Sequence, residues 1–214
     1  STFVTIVFAL LLNEIKNKFM KRSIQTIVYL PNFLSWVILA TVVVNIFSYE
    51  GPINAVLEML GIEPILFMAS NKWFRSVLIV TDVWKGFGYG AIIYLAALSG
   101  IDPGLYEAAA IDGANRFKRV WHITLPGILP TIMLVTIMNL PNVLNAGFDQ
   151  IFNLYNPLVM ETADIIDTWV YRVGLVERQY SLGTAVGLLR SIVGIILMLS
   201  ANKIAQKVTD YRIF

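Results

Sequence analysis

The sequence predicts an all-α fold, a polytopic transmembrane helical bundle, and three observations carry that prediction. Hydrophobic residues fill 57% of the 214 positions and charged residues only 14%, against about 45–50% and about 25% in soluble domains, and the mean hydropathy is +0.70. The apolar residues gather in long runs, and a helix needs roughly 20 such residues to cross a bilayer core. The loops between the runs alternate in charge. The chain has no cysteine, which excludes disulfides and thiolate metal sites.

In chain order, residues 2–12 are apolar but too short to span. They read as the tail of a first helix, so the chain is expected to be truncated at its N-terminus, with at least one span upstream. Residues 13–23 (NEIKNKFMKRS) form a short basic loop. Residues 24–47 are long enough to cross. Residues 48–72 carry Glu50, Glu58 and Glu63 and a short amphipathic piece at 53–60. Residues 76–98 are the next span, 99–122 a charged loop, and 123–146 another span. Residues 147–182 form a long, acid-rich segment. Within it, 164–175 places Ile165, Ile166, Trp169, Val170 and Val173 near one helical face, as expected of a helix lying on the membrane surface. Residues 183–201 are the last span and 202–214 a basic tail.

Charge fixes the sides. The loops 13–23 and 99–122 with the tail hold ten cations (Lys16, Lys18, Lys21, Arg22, Arg116, Lys118, Arg119, Lys203, Lys207, Arg212) and five acids. The loops 48–75 and 147–182 hold four cations (Lys72, Arg75, Arg172, Arg178) and eight acids. Lys and Arg accumulate on the cytoplasmic side of membrane proteins, so the first group is cytoplasmic, and the alternation of spans agrees at every loop.

The most distinctive cytoplasmic stretch is 107–130, EAAAIDGANRFKRVWHITLPGILP. Pro103 is a helix-starting residue, and Glu107 with three alanines continues a good helix. Gly113 interrupts it as a C-terminal or turn residue. Arg116, Lys118 and Arg119 form a basic patch, and Pro126 opens the next apolar run. On these features alone, an ordinary connecting loop competes with a docking element.

The spacing Glu107-Ala108-Ala109, Gly113, Ile123, Leu125-Pro126, with Asp112-Gly113-Ala114 and Pro130, resembles the cytoplasmic EAA loop of binding-protein-dependent ABC importer permeases. Asp82-x-Trp84-Lys85-Gly86, residues 94–98 (YLAAL), Ile101-Asp102-Pro103, Asn156-Pro157, residues 164–168 (DIIDT) and Val170-Tyr171-Arg172 are similar to the polysaccharide and oligosaccharide permeases of the carbohydrate-uptake group. The resemblance covers essentially the whole chain, less a first span and the start of a second. It implies one permease domain over 1–214 with the type I importer fold, in a bacterial cytoplasmic membrane. Glu107 would anchor a coupling helix in a cleft of an ATPase by pairing with a basic residue there. Ala108 and Ala109 would allow close approach, Gly113 would make the turn, and Asp112 and Ala114 complete the motif. The implied partners are a second permease subunit, two ATPases that use Mg-ATP, and an extracytoplasmic solute-binding protein. The chain itself would be a non-enzymatic transport subunit, binding no cofactor, metal or nucleic acid. An importer of a non-sugar solute shares the loop. A secondary transporter or a membrane scaffold remains the reading from a different class.

Polar residues inside the spans are the remaining candidates, because charge in hydrocarbon is expensive. Asp82 and Lys85, at i and i+3, read either as a helical ion pair or as part of a substrate pathway. Asn139, Asn142 and Asn145 fall roughly on one face of the 123–146 span, with Pro141 as a possible kink. They suit either sugar hydroxyls or helix–helix hydrogen bonds. Tyr89, Trp36 and Trp84 could stack on sugar rings or anchor at the interface. Gly86, Gly88 and Gly90 look superficially like a phosphate loop but read better as sites of close helix approach. Arg190, alone in the last span, calls for a cavity or for an acid from another helix. His122 reads as solvated or partner-facing. Nothing in the chain matches a P-loop or a Ser/His/Asp set.

Overall fold

The computed structural model describes residues 1–144 and 146–209. Its α-helices are α1 (Thr2–Glu14), α2 (Lys18–Phe33), α3 (Trp36–Ile46), α4 (Pro52–Met59), α5 (Asn71–Ser99), α6 (Pro103–Ile111), α7 (Arg116–Arg119), α8 (Leu125–Asn139), α9 (Phe148–Leu154), α10 (Met160–Ala163), α11 (Ile166–Val170) and α12 (Tyr180–Thr209). π-helical turns occupy Val120–Thr124 and Tyr171–Val176, and a 3-10 turn occupies Leu140–Leu144. Among the described residues there is no strand. Among the described residues, three helical stretches are long and apolar enough to cross a membrane, Asn71–Ser99, Arg116–Asn139 and Tyr180–Lys203, and α2 with α3 makes a fourth if the bent pair is one span.

The chain divides into two compact units. The first contains Ser1–Val28, Phe87–Pro141 and the described residues from Gly194 onward. Its core is Ala9, Ala91, Tyr94, Leu98 and Ile128, with Ile6, Leu95, Ile101 and Leu125 packed around it. Small residues let the backbones come together here. A β-carbon on Gly88 would lie 2.5 Å from the carbonyl oxygen of Val28, and one on Gly90 would lie 3.3 Å from Thr5 Cγ2. Gly127 sits similarly tight against Ile101, at 2.9 Å. Close helix approach is therefore the role of Gly88 and Gly90. Gly86 has no such neighbour.

The second unit contains Tyr29–Gly86 and Asn142–Val193. Its core is Ala40, Val43, Phe67, Phe74, Val77, Leu154, Val159 and Ala163. Buried amides tie the non-helical stretches to it, as expected where backbone groups must be satisfied away from water. Asn54 Nδ2 donates to the carbonyls of Ser48 (3.0 Å) and Ile65 (2.9 Å), and Asn54 Oδ1 accepts from the Ile65 N–H at 2.8 Å. Gln150 Nε2 donates to Leu78 O and to Thr81 Oγ1, both at 2.8 Å, joining α9 to α5. The backbones of Gly174 and Gly183 meet closely where the second π turn passes α12.

Two expected spans have different boundaries in the structure. The run 24–47 is broken rather than continuous: α2 and α3 meet at 107°. Pro31 lies inside α2, where its missing N–H bears on the carbonyl of Ile27, whereas the break follows Phe33. Ser35 then caps α3, its hydroxyl accepting from the Ile38 N–H at 3.4 Å. The run 123–146 starts earlier and ends earlier than read. Its helix begins at Arg116, passes through the first π turn and closes at Asn139. Pro141 again lacks the N–H that would continue the ladder. The segment 164–175 is helical but mixed, an α turn followed by a π turn.

Candidate functional site: the cytoplasmic helix-turn and the polar residues of the spans

The helix-turn is built from local capping. Asp102 is the N-cap of α6, and its Oδ1 accepts from the Gly104 N–H at 2.8 Å, with Pro103 in the first turn. That combination satisfies one orphan donor and presets φ. The C-terminus closes by a Schellman motif. The Ala114 N–H reaches Ala109 O at 2.8 Å, the Gly113 N–H reaches Ala110 O at 3.2 Å, and Gly113 adopts φ of +77°. Asn115 then caps the next helix, its Oδ1 accepting from the Lys118 N–H at 2.8 Å. Two helices therefore meet at a turn of fixed geometry, and Gly113 occupies the position that the left-handed conformation requires.

The turn is also tied to the span that follows it. The hydroxyls of Tyr106 and Thr124 share a hydrogen bond of 3.0 Å, and Thr124 is buried. Glu107, Ala108, Asp112 and Gly113 are exposed, while Ala109 and Ala114 are half-buried. None of the three ion pairs among the described residues uses Glu107. Ile111, Phe117 and Trp121 are exposed as well, with the Phe117 and Trp121 rings stacked at 6.4 Å. His122 is exposed, with Nδ1 2.9 Å from Lys118 O. This surface offers a carboxylate, small residues and apolar side chains on a rigid support, the makings of a docking face rather than a reaction centre.

The polar residues of the spans fall into different settings. Asp82 and Lys85 do not form the ion pair that their spacing allows. Lys85 Nζ instead donates to the carbonyl oxygens of Pro31 (3.2 Å), Asn32 (3.3 Å) and Leu34, and lies 5.4 Å from the Trp36 ring centroid. The ammonium thus caps the end of α2 at its break, satisfying carbonyls that a helix C-terminus leaves orphaned. Asp82 is exposed. Trp84 is 38% exposed and Tyr89 47%.

Asn139 ends α8 and Asn142 lies in the 3-10 turn, while Asn145 lies outside the described residues. The pathway set is also divided between units, with Tyr89 and Asn139 in the first and Asp82, Lys85 and Asn142 in the second.

Arg190 finds its acid in Asp167, on α11. One turn earlier, Asp164 pairs with Arg172 at 2.7 Å and accepts from the Thr168 hydroxyl at 2.7 Å. The Arg172 hydrogen bond holds the Asp164 carboxyl below the usual carboxylate range, with Thr168 adding to the effect. Sequence reasoning signalled that Arg190 needs a partner but had no means of choosing among the acids of the outer segment. It missed the Lys85 cap, which joins residues more than fifty positions apart.

Comparison with known proteins follows this geometry. A family model described as the binding-protein-dependent transport system inner membrane component matches residues 1–210. Protein LplB of Bacillus subtilis (strain 168) is 44% identical over 210 residues, covering 98% of this chain and 66% of that protein. The polygalacturonan/rhamnogalacturonan transport system permease protein YteP of the same organism is 41% identical over 212 residues, covering 99% and 66%. The chain thus spans just under two thirds of the length of these curated relatives. A solved bacterial ABC transporter involved in the import of the acidic polysaccharide alginate superposes with a TM-score of 0.91 at 40% identity, covering 96% of this chain and 72% of that one. A bacterial alginate ABC transporter in complex with an alginate pentasaccharide-bound periplasmic protein gives 0.93 at 39%, covering 99% and 74%.

Proposed function

Because this chain belongs to the family of binding-protein-dependent transport system inner membrane components, we propose that it is the permease subunit of an ABC importer carrying an oligosaccharide or a polysaccharide-derived sugar across the cytoplasmic membrane. The observation that carries the reading is the capped helix-turn with Glu107 exposed and without an ion-pair partner among the described residues. Substrate class is supported by relatives whose names specify polygalacturonan, rhamnogalacturonan and alginate transport.

In this reading, a second permease subunit completes the pathway, two ATPases dock below and a solute-binding protein docks above. ATP closes the ATPase pair, and its hydrolysis lets them part. Glu107 pairs with a basic residue in the ATPase cleft, while Ala108 lets the backbone approach. Ala109 and Ala114 stay packed at the turn, and Asp112 with Gly113 completes it. Force applied to α6 passes to the next span through the Tyr106–Thr124 bond and the continuous helix beyond it. This chain transmits motion and performs no covalent step. The divided polar set, Asp82, Tyr89, Asn139, Asn142 and Asn145, is proposed to meet the sugar along the pathway, whereas Lys85 is reassigned to the helix break.

Uptake of labelled oligosaccharide into vesicles carrying the reconstituted complex tests the proposal. Uptake is expected to require ATP and to fall at least about tenfold with Glu107→Arg, because reversing one partner of a partly desolvated pair costs several kcal/mol. Uptake driven by an ion gradient without ATP would sink the importer reading. Intact ATPase assembly and coupling with Glu107→Arg would sink the anchor role. Offering the binding protein uronic-acid oligosaccharides alongside amino acids and peptides separates the sugar reading from a non-sugar solute.

A further inference from the structure

We propose that a pocket on the cytoplasmic rim of the first unit binds a phosphodiester anion, and that its occupant is the headgroup of an anionic membrane lipid. The pocket has a volume of about 180 Å³ and is lined by Glu14, Lys16, Tyr106, Arg116, Arg119 and Val120, all within one compact unit. Three cations face one carboxylate, leaving a formal charge of two positive. Glu14 approaches Arg116 only to 3.8 Å, with both side chains more than half exposed, so the pair does little to neutralise the site.

Arg119 lines the pocket, and its guanidinium group is shaped for phosphate oxygens.

Depth selects the occupant. Lys16 follows the end of the apolar helix α1, and Arg116 opens the membrane-length stretch Arg116–Asn139. Both therefore sit where apolar helix gives way to polar loop, which is headgroup level. Basic pockets between helices on the cytoplasmic side suit lipid phosphates. An acidic side chain of a protein partner would need to reach the same level from the aqueous side.

The inference goes beyond the import reading. It uses the charge-based topology but neither solute nor ATP, so its test can fail while that reading stands. The test is native mass spectrometry of the full permease complex with phosphatidylglycerol, with diacylglycerol of the same chains, and with inorganic phosphate. Phosphatidylglycerol is expected to be retained over diacylglycerol. Lys16→Gln and Arg119→Gln are each expected to lower its retention by about fivefold, whereas Arg75→Gln, on the opposite side, leaves it unchanged. Arg119→Lys, which keeps the charge, guards against a folding defect and is expected to retain more lipid than Arg119→Gln. Equal retention of diacylglycerol, or undiminished binding by both glutamine variants, overturns the site. Displacement by millimolar inorganic phosphate overturns the lipid occupant in favour of a soluble anion. Absence of the lipid from the full complex, with its ATPases docked, overturns it in favour of a partner side chain.

Discussion

Lys85 shows how one charge can be accommodated inside a broken membrane span. An ammonium in hydrocarbon is costly, and so are backbone carbonyls left without donors. At the end of α2 each offsets the other, because Lys85 Nζ supplies the donor for Pro31, Asn32 and Leu34. Lys85→Met is therefore expected to destabilise the protein by roughly 1–3 kcal/mol, the cost of buried polar groups left unpaired. A thermal-unfolding midpoint in detergent, lowered for Met and largely kept for Arg, checks this. Asp164 gives a pH prediction at the same scale. Its folded pKa is held below the unfolded value of about 3.9, chiefly by Arg172. Its contribution to stability is present in full above that unfolded value and is lost as pH falls through the folded one. Acid titration of stability below about pH 4 should flatten in Asp164→Asn, and an unchanged acid limb would refute the link.

At the scale of elements, the cytoplasmic helix-turn owes its shape to neighbours within a few residues. Asp102, Pro103, Gly113 and Asn115 each occupy the cap position that their chemistry favours. Gly113→Val would force a β-branched residue into the left-handed region, at about 1–2 kcal/mol or more. The expected outcome is impaired coupling, with basal ATPase activity preserved and its stimulation by loaded binding protein reduced. Equal stimulation in mutant and wild type would show that the turn does not need that conformation. The expected continuous helices at 24–47 and 123–146 fare differently: the first breaks after Phe33, and the second closes at Asn139, just ahead of Pro141, which lacks a ladder donor. Proline marked the second place in the sequence. At the first, the break leaves carbonyls at the end of α2 that Lys85 satisfies from more than fifty residues away.

At the scale of the whole molecule, topology follows from the arithmetic of Lys and Arg. The chain has no native cysteine, so single introduced cysteines can be mapped without background. Lys118→Cys is expected to react with impermeant maleimide only from the cytoplasmic side, and Glu161→Cys only from the opposite side. The reverse pattern would invert every loop assignment, along with the docking role of Glu107.

What the sequence determined by itself was whatever rests on composition and short-range spacing. Hydropathy and the charge bias set the helical membrane class, and the residues at 102–115 marked the capped helix-turn, because caps and turns are decided within about six residues. What only the tertiary structure decided was the pairing of distant polar groups. Arg190 chose Asp167 and Lys85 chose carbonyls over Asp82, while Asn139 and Asn142 fell into separate units. In a low-dielectric interior each such group takes the partner that packing brings within reach, and one-dimensional spacing carries no record of that choice.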